Sequence, residues 1–144
     1  MFPDPVGLFP LNERLSYAHI LVHIAAADGT LVREEVQAIE GYIGKCLIPP
    51  DQRDEIRQGF ENPKSLGELL NNVSDELLHF TLRDAIIVAS IDGEYDESEI
   101  ACIREIASKI DMSEEELSAV FDWVKSGWKW NSEYKKFISK NSQI

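Results

Sequence analysis

No stretch of this 144-residue chain is apolar for long enough to cross a bilayer, which excludes a membrane-spanning helix. The opening residues, Met1-Phe2-Pro3-Asp4-Pro5, lack the basic segment of a secretory leader, so the expectation is an unprocessed cytoplasmic protein. Cysteine is scarce: Cys46 and Cys102 lie far apart, form no CxxC pair and sit in apolar helical stretches. That excludes a disulfide scaffold and suits core thiols in a reducing compartment. Positive charge is also scarce, 14 Lys and Arg against 26 Asp and Glu, for a net charge of −12. Such a balance leaves no broad basic surface, so nucleic acid is excluded as a partner and anionic lipid is disfavoured. Alternating polarity between turn signals is missing, and no strand is predicted. Catalytic constellations are missing too. Ser90 has no glycine elbow and no neighbouring His, and the reading is a non-enzyme.

What is present is a sentence written twice. Ile24-Ala25-Ala26-Ala27-Asp28-Gly29, with Glu35 seven residues after the Asp, returns as Val88-Ala89-Ser90-Ile91-Asp92-Gly93 with Glu99. The flanking apolar positions keep the same 64-residue step, Leu31 with Tyr95, Val36 with Ile100, Ile39 with Ile103 and Ile56 with Val120. A duplicated half-domain is the simplest reading.

The expected fold is all-α: a single domain over residues 1–144, with seven or eight helices and related halves at about 11–60 and 75–125. Asn12 is placed as the cap of a first helix to about Ala27, and a second runs from about Arg33 to Cys46. Pro49-Pro50 starts a short third to about Phe60, and Lys64 to Asn72 forms a turn or helix between the halves. Ser74 caps a long helix to Ile91 and Asp96 another to Ile110. Ser113 with Glu116 makes a capping box for a helix that Gly127 should end. The aromatic tail, residues 126–144, is expected to pack back on the body.

The repeated corner is chemically unusual. A carboxylate just past a helix C-terminus faces the negative end of the macrodipole, worth several tenths of a kcal/mol. Asp28 and Asp92 both stand there, so either loop N–H groups or a cation must offset the charge. Each Glu lies in the first turn of the next helix. For Glu99 a capping box with Asp96 is a sufficient explanation. For Glu35 it is not, because the capping position is Val32.

The Asp-Gly-x-apolar-x-x-x-Glu spacing also equals the end of an EF-hand loop, but the earlier ligand positions, Ile24 and Ala26 or Val88 and Ser90, carry no carboxylate. One corner alone is too poor in oxygen. Two corners brought together offer Asp28, Glu35, Asp92 and Glu99, and charges about 5 Å apart at an effective dielectric near 20 would repel by roughly 3 kcal/mol. A divalent ion would relieve that, calcium first, with magnesium or manganese as alternatives.

These corners, above all Asp92-Gly93-Glu94-Tyr95-Asp96-Glu97-Ser98-Glu99 running on into Arg104-Glu105-Ile106-Ala107, resemble the bacterial tellurite-resistance TerB family over about Leu15 to Phe121. The resemblance implies an all-helical domain that binds divalent metal, commonly calcium, through its repeated Asp-Gly…Glu segments. By position these are Asp28, Glu35, Asp92 and Glu99. It further implies a place in tellurite and stress resistance, within protein complexes at the inner face of the membrane and without direct membrane insertion. Val32 and Arg33 depart from the small or acidic residues usual before the Glu. A related domain occurs in a membrane-anchored co-chaperone, but no His-Pro-Asp tripeptide is present here. The competing expectation is a metal-independent, co-chaperone-like interaction scaffold whose acids only cap helices and form turns.

His19 and His23 share the i, i+4 spacing of a zinc pair but diverge from the acidic corner, and read as ordinary helix histidines. Trp123, Trp128, Trp130, Tyr134 and Phe137 read mostly as core of a terminal helix. Exposure of two or more indoles would make them a docking surface for a partner instead, particularly an acidic one that meets the nearby lysines.

Overall fold

The computed structural model describes residues 4–142, with side chains described through residue 138. All regular structure among them is helical. After a 3-10 turn at Pro5–Leu8 come α1 Leu11–Ala25, α2 Arg33–Lys45, α3 Pro50–Gln58, α4 Leu66–Asn71, α5 Asp75–Ala89, α6 Glu97–Lys109, α7 Glu114–Glu133 and α8 Lys135–Ser142. The chain forms two compact units, Met1–Met112 and Ser113–Ile144.

In the first unit α1 and α5 are the central pair, and their sequences explain why. Both are apolar on nearly every side, with Ile20, Leu21, Val22 and Ile24 of α1 and Leu77, Leu78, Leu82 and Ile86 of α5 fully buried. The flanking helices bury only one stripe each, Ile39 and Ile43 in α2, Ile103 and Ile106 in α6. Helix α2 packs on both α1 and α5, and so does α6.

Helix bounds and left-handed positions recur at a fixed interval. Helices α1 and α5 start at Leu11 and Asp75 and end at Ala25 and Ala89, and α2 and α6 run from Arg33 and Glu97 to Lys45 and Lys109, always the same interval. Left-handed backbone recurs at that interval as well, at Gly29 (φ 79°) with Gly93 (φ 86°), and at Leu47 (φ 57°) with Asp111 (φ 55°). Glycine is needed at the first pair, because a side chain there would be strained even with open space around it.

Caps follow the sequence closely in the second half. Ser74 accepts from Leu77 N, and full capping boxes are formed by Asp96 with Glu99 and by Ser113 with Glu116. Two expectations change. Helix α1 begins one residue before Asn12, with Pro10 as its cap and the Pro10 carbonyl accepting from Glu13 N and Arg14 N. Gly127 does not end α7. It lacks the positive φ of a left-handed cap, and the helix runs on to Glu133, since an interior glycine costs only about 1 kcal/mol relative to alanine.

Candidate functional site

Each acidic corner is the turn that leaves a central helix. Past α1, Gly29 N donates to Ala26 O and Thr30 N donates to Asp28 Oδ1 at 2.9 Å. Past α5, Gly93 N donates to Ser90 O and Glu94 N donates to Asp92 Oδ1 at 3.0 Å. Both aspartates are exposed, and one oxygen of each carboxylate is satisfied by a loop amide two residues on. That is the offset which the position beyond the helix end demands.

The glutamates behave differently. Glu35 lies on the buried stripe of α2, one turn before Ile39 and two before Ile43, and is only 3% exposed. Glu99 holds the same place in α6 and is 5% exposed. Its Oε1 accepts from Asp96 N at 3.2 Å, whereas its Oε2 is buried without a hydrogen-bond partner. Val32 offers Glu35 no side-chain cap.

The two corners sense each other's charge. Burial pushes the Glu35 carboxyl up to about 7, helped by the charges of Glu99, Asp92 and Asp28. Burial likewise pushes Glu99 up to about 7, with Asp28, Asp92 and Asp96 adding to the rise and the Asp96 N–H opposing it. Each glutamate therefore lies within electrostatic reach of both aspartates. Burial first, and neighbouring negative charge second, disfavour ionisation of both glutamates up to about neutral pH.

The donors present suit a hard cation in kind, since all are carboxylate oxygens and one of them is buried and unpaired. They do not yet surround one point: among the described residues no group of three or more His, Cys, Asp or Glu stands ready to hold a metal ion. One oxygen of each aspartate is engaged by its own loop amide.

His19 is buried with Nδ1 unpaired, and burial lowers its pKa, while His23 Nδ1 is 2.8 Å from Lys64 O; they form no joint site. Cys46 is buried, its thiol pushed up to about 11 by burial, and Cys102 is half-buried. Neither is activated. The three indoles are exposed, contrary to the expectation of core packing: Trp123 by 59%, Trp128 by 39% and Trp130 by 67%.

One polar centre was missed in the sequence. Asp84, 1% exposed, accepts from Tyr17 Oη at 2.6 Å and from Arg83 Nε at 2.8 Å, and Arg83 Nη2 continues to Asp4 Oδ2 at 2.9 Å. Lys45 closes the chain on Asp4 at 3.0 Å. The signal was available, because Asp84 follows Leu77 and Thr81 at helical spacing on a face that Val88 continues.

With its helices and paired corners in view, the chain can be placed. It belongs to the TerB family, the model for Tellurite resistance protein TerB matching residues 14–122. It is similar to the Co-chaperone protein DjlA of Vibrio vulnificus strain YJ016, 30% identical over 108 residues. The same protein of Aliivibrio fischeri strain ATCC 700601 / ES114 is 28% identical over 108 residues. The matched segment is 68% of this chain and 38% of either relative, so the chain spans well under half of their length. No solved structure matches it significantly.

Proposed function

We propose that this protein is a non-enzymatic divalent-cation-binding module in which Asp28, Glu35, Asp92 and Glu99 hold one ion between duplicated halves, calcium before magnesium or manganese. The observation that carries the reading is a pair of buried glutamates, one with an unpaired buried oxygen, each pushed up by burial and by carboxylates of the opposite corner. A cation supplies the missing positive charge there. The chain's own residues do the rest: α2 and α6 fix the glutamates, the loop amides of Thr30 and Glu94 hold the aspartates at the rim, and burial excludes competing water. Occupancy would fasten the corner after α1 to the corner after α5. We place the module in a larger protein complex of the stress and tellurite-resistance type, by virtue of its family.

A second reading is supported by the amide bonds of Asp28 and Asp92 and the capping box of Glu99, which explain three of the four acids without a metal. In that case the module is a co-chaperone-like scaffold, a reading its similarity to the DjlA proteins favours. Calorimetry on chelator-treated protein separates the two. Calcium, magnesium or manganese at one hundred times the dissociation constant should stabilise by about 2.7 kcal/mol, and Asp92→Asn should lose most of that gain. Heat capacity traces indifferent to all three ions would leave the scaffold.

A further inference from the structure

The family match stops at residue 122, and the charge of the chain changes sign at the same place. Residues 1–122 carry nine Lys and Arg against 25 Asp and Glu, a balance of −16; residues 123–144 carry five Lys against one Glu, a balance of +4. The whole-chain charge of −12 that disfavours anionic surfaces therefore conceals a basic segment.

That segment is also the most exposed apolar part of the described chain. Trp123 is 59% exposed, Trp130 67%, Tyr134 65%, Phe137 62% and Ile138 44%. At about 100° per residue Trp123, Trp130 and Tyr134 fall within roughly 40° of one another, a single stripe from the middle of α7 to its C-cap. The ring of Phe137 lies 5.9 Å from that of Tyr134, so the stripe continues into α8. Lys125 and Lys129 are exposed on the far side of α7 from the stripe, and Lys135 and Lys136 open α8. Aromatics on one face and lysines on the other make the pattern of a helix that lies in a membrane interface, its rings at the headgroup level. No helix among the described residues is long and apolar enough to cross a bilayer, which leaves the surface.

Composition argues against a protein as the occupant. Protein interfaces enrich arginine and deplete lysine, whereas the segment holds five lysines and no arginine. Lysine serves well as a mobile point charge toward lipid headgroups, where its long stem can snorkel.

We propose that the tail formed by α7 from Trp123 onward and by α8 is a docking surface for an anionic lipid bilayer. Trp123, Trp130, Tyr134 and Phe137 enter the headgroup boundary, and the lysines meet the negative headgroups. The surface shares no residue with the acidic corners, and either reading can fail alone.

The test is flotation of the full chain with vesicles of phosphatidylcholine alone or with 30% phosphatidylglycerol, read together with tryptophan emission. Binding at least ten-fold stronger to the anionic vesicles is expected, with a blue shift of emission and weakening by salt. The double substitution Trp123→Ala with Trp130→Ala, and separately Lys125→Gln with Lys129→Gln and Lys135→Gln, should each lose ten-fold or more, with circular dichroism unchanged. Absence of binding to both vesicles, or equal binding by the tryptophan variant, overturns the proposal. So does lysine-dependent capture of polyglutamate without lipid binding, which would identify an acidic protein as partner. A lysine-dependent dimer in sedimentation velocity without lipid binding overturns it in favour of a second copy.

Discussion

Replacing Asp84 by alanine is expected to lower stability by about 3–5 kcal/mol, the cost of breaking a buried ion pair from one side. The carboxylate joins α1, α5 and the N-terminal turn through Tyr17, Arg83 and, beyond Arg83, Asp4. Removing it takes the carboxylate partner from a fully buried tyrosine hydroxyl and leaves Asp4, among the described residues, as the one ion-pair partner of a guanidinium whose side chain is only 26% exposed and which also lies over the Phe80 ring. Burial raises the Asp84 carboxyl, and Arg83 with Tyr17 opposes the rise. Both opposing partners act best on the ionised form, so Asp84→Asn should cost clearly less than alanine but more than 1 kcal/mol. Urea unfolding of the two variants measures this. A loss below 1 kcal/mol for alanine would mean that the network is not what locks the N-terminal turn to the central helices.

The second large effect is on pH dependence in the absence of metal. Unfolded glutamates lose their protons near 4.5, whereas folded Glu35 and Glu99 keep theirs to about 7. Between those values the folded state binds more protons, so their contribution to stability falls as pH rises from about 4.5 to about 7 and is flat above. A carboxyl displaced that far forfeits on the order of 3 kcal/mol on ionising, less for each of two that share a field. Glu35→Gln should therefore stabilise the chelated protein at pH 8 by roughly 1–3 kcal/mol and leave it unchanged near pH 4. The difference between wild-type and variant curves is the quantity to measure, because Asp4, held low by Val6 N, Lys45 and Arg83 against its own burial, contributes the opposite slope. A variant less stable than wild type at pH 8 would contradict a strained carboxylate pair.

Most of the fold could be read in the sequence because its signals are local. Ser74, Asp96 and Ser113 cap the helices they were expected to cap, and the apolar spacing around Ile39 and Ile103 marks the buried stripes. What the sequence left open depends on neighbours in space. Asn12 has a good capping side chain, yet the geometry that Pro10 imposes starts α1 earlier. Trp123 and Trp130 look like core by composition, but their spacing aligns them with Tyr134 on an exposed stripe. The burial of Asp84 was legible from its spacing to Leu77 and Thr81, whereas its partners Tyr17 and Arg83 are fixed only by packing in space.

The four acids were legible as a pattern of two corners. The spacing of Asp28 with Glu35 and of Asp92 with Glu99 fixes the two corners, while their mutual reach follows from α2 and α6 each packing on both central helices. Glu35 carried a further clue, since it begins the line that Ile39 and Ile43 continue. An acid on that line is buried whether or not it caps anything. The side-chain direction of Asp28 and Asp92, toward Thr30 N and Glu94 N, could not be foreseen from spacing.

Whether the corners form one electrostatic unit is decided most directly by carbon-detected NMR titration of the Glu35 side-chain carboxyl in chelated protein, wild type beside Glu99→Gln and Asp92→Asn. Glu35 should titrate near 7 in the wild type and move toward 4.5 in both variants, although neither replaced residue belongs to its own corner. A Glu35 that titrates near 4.5 from the outset, or ignores changes at the other corner, would contradict a shared site.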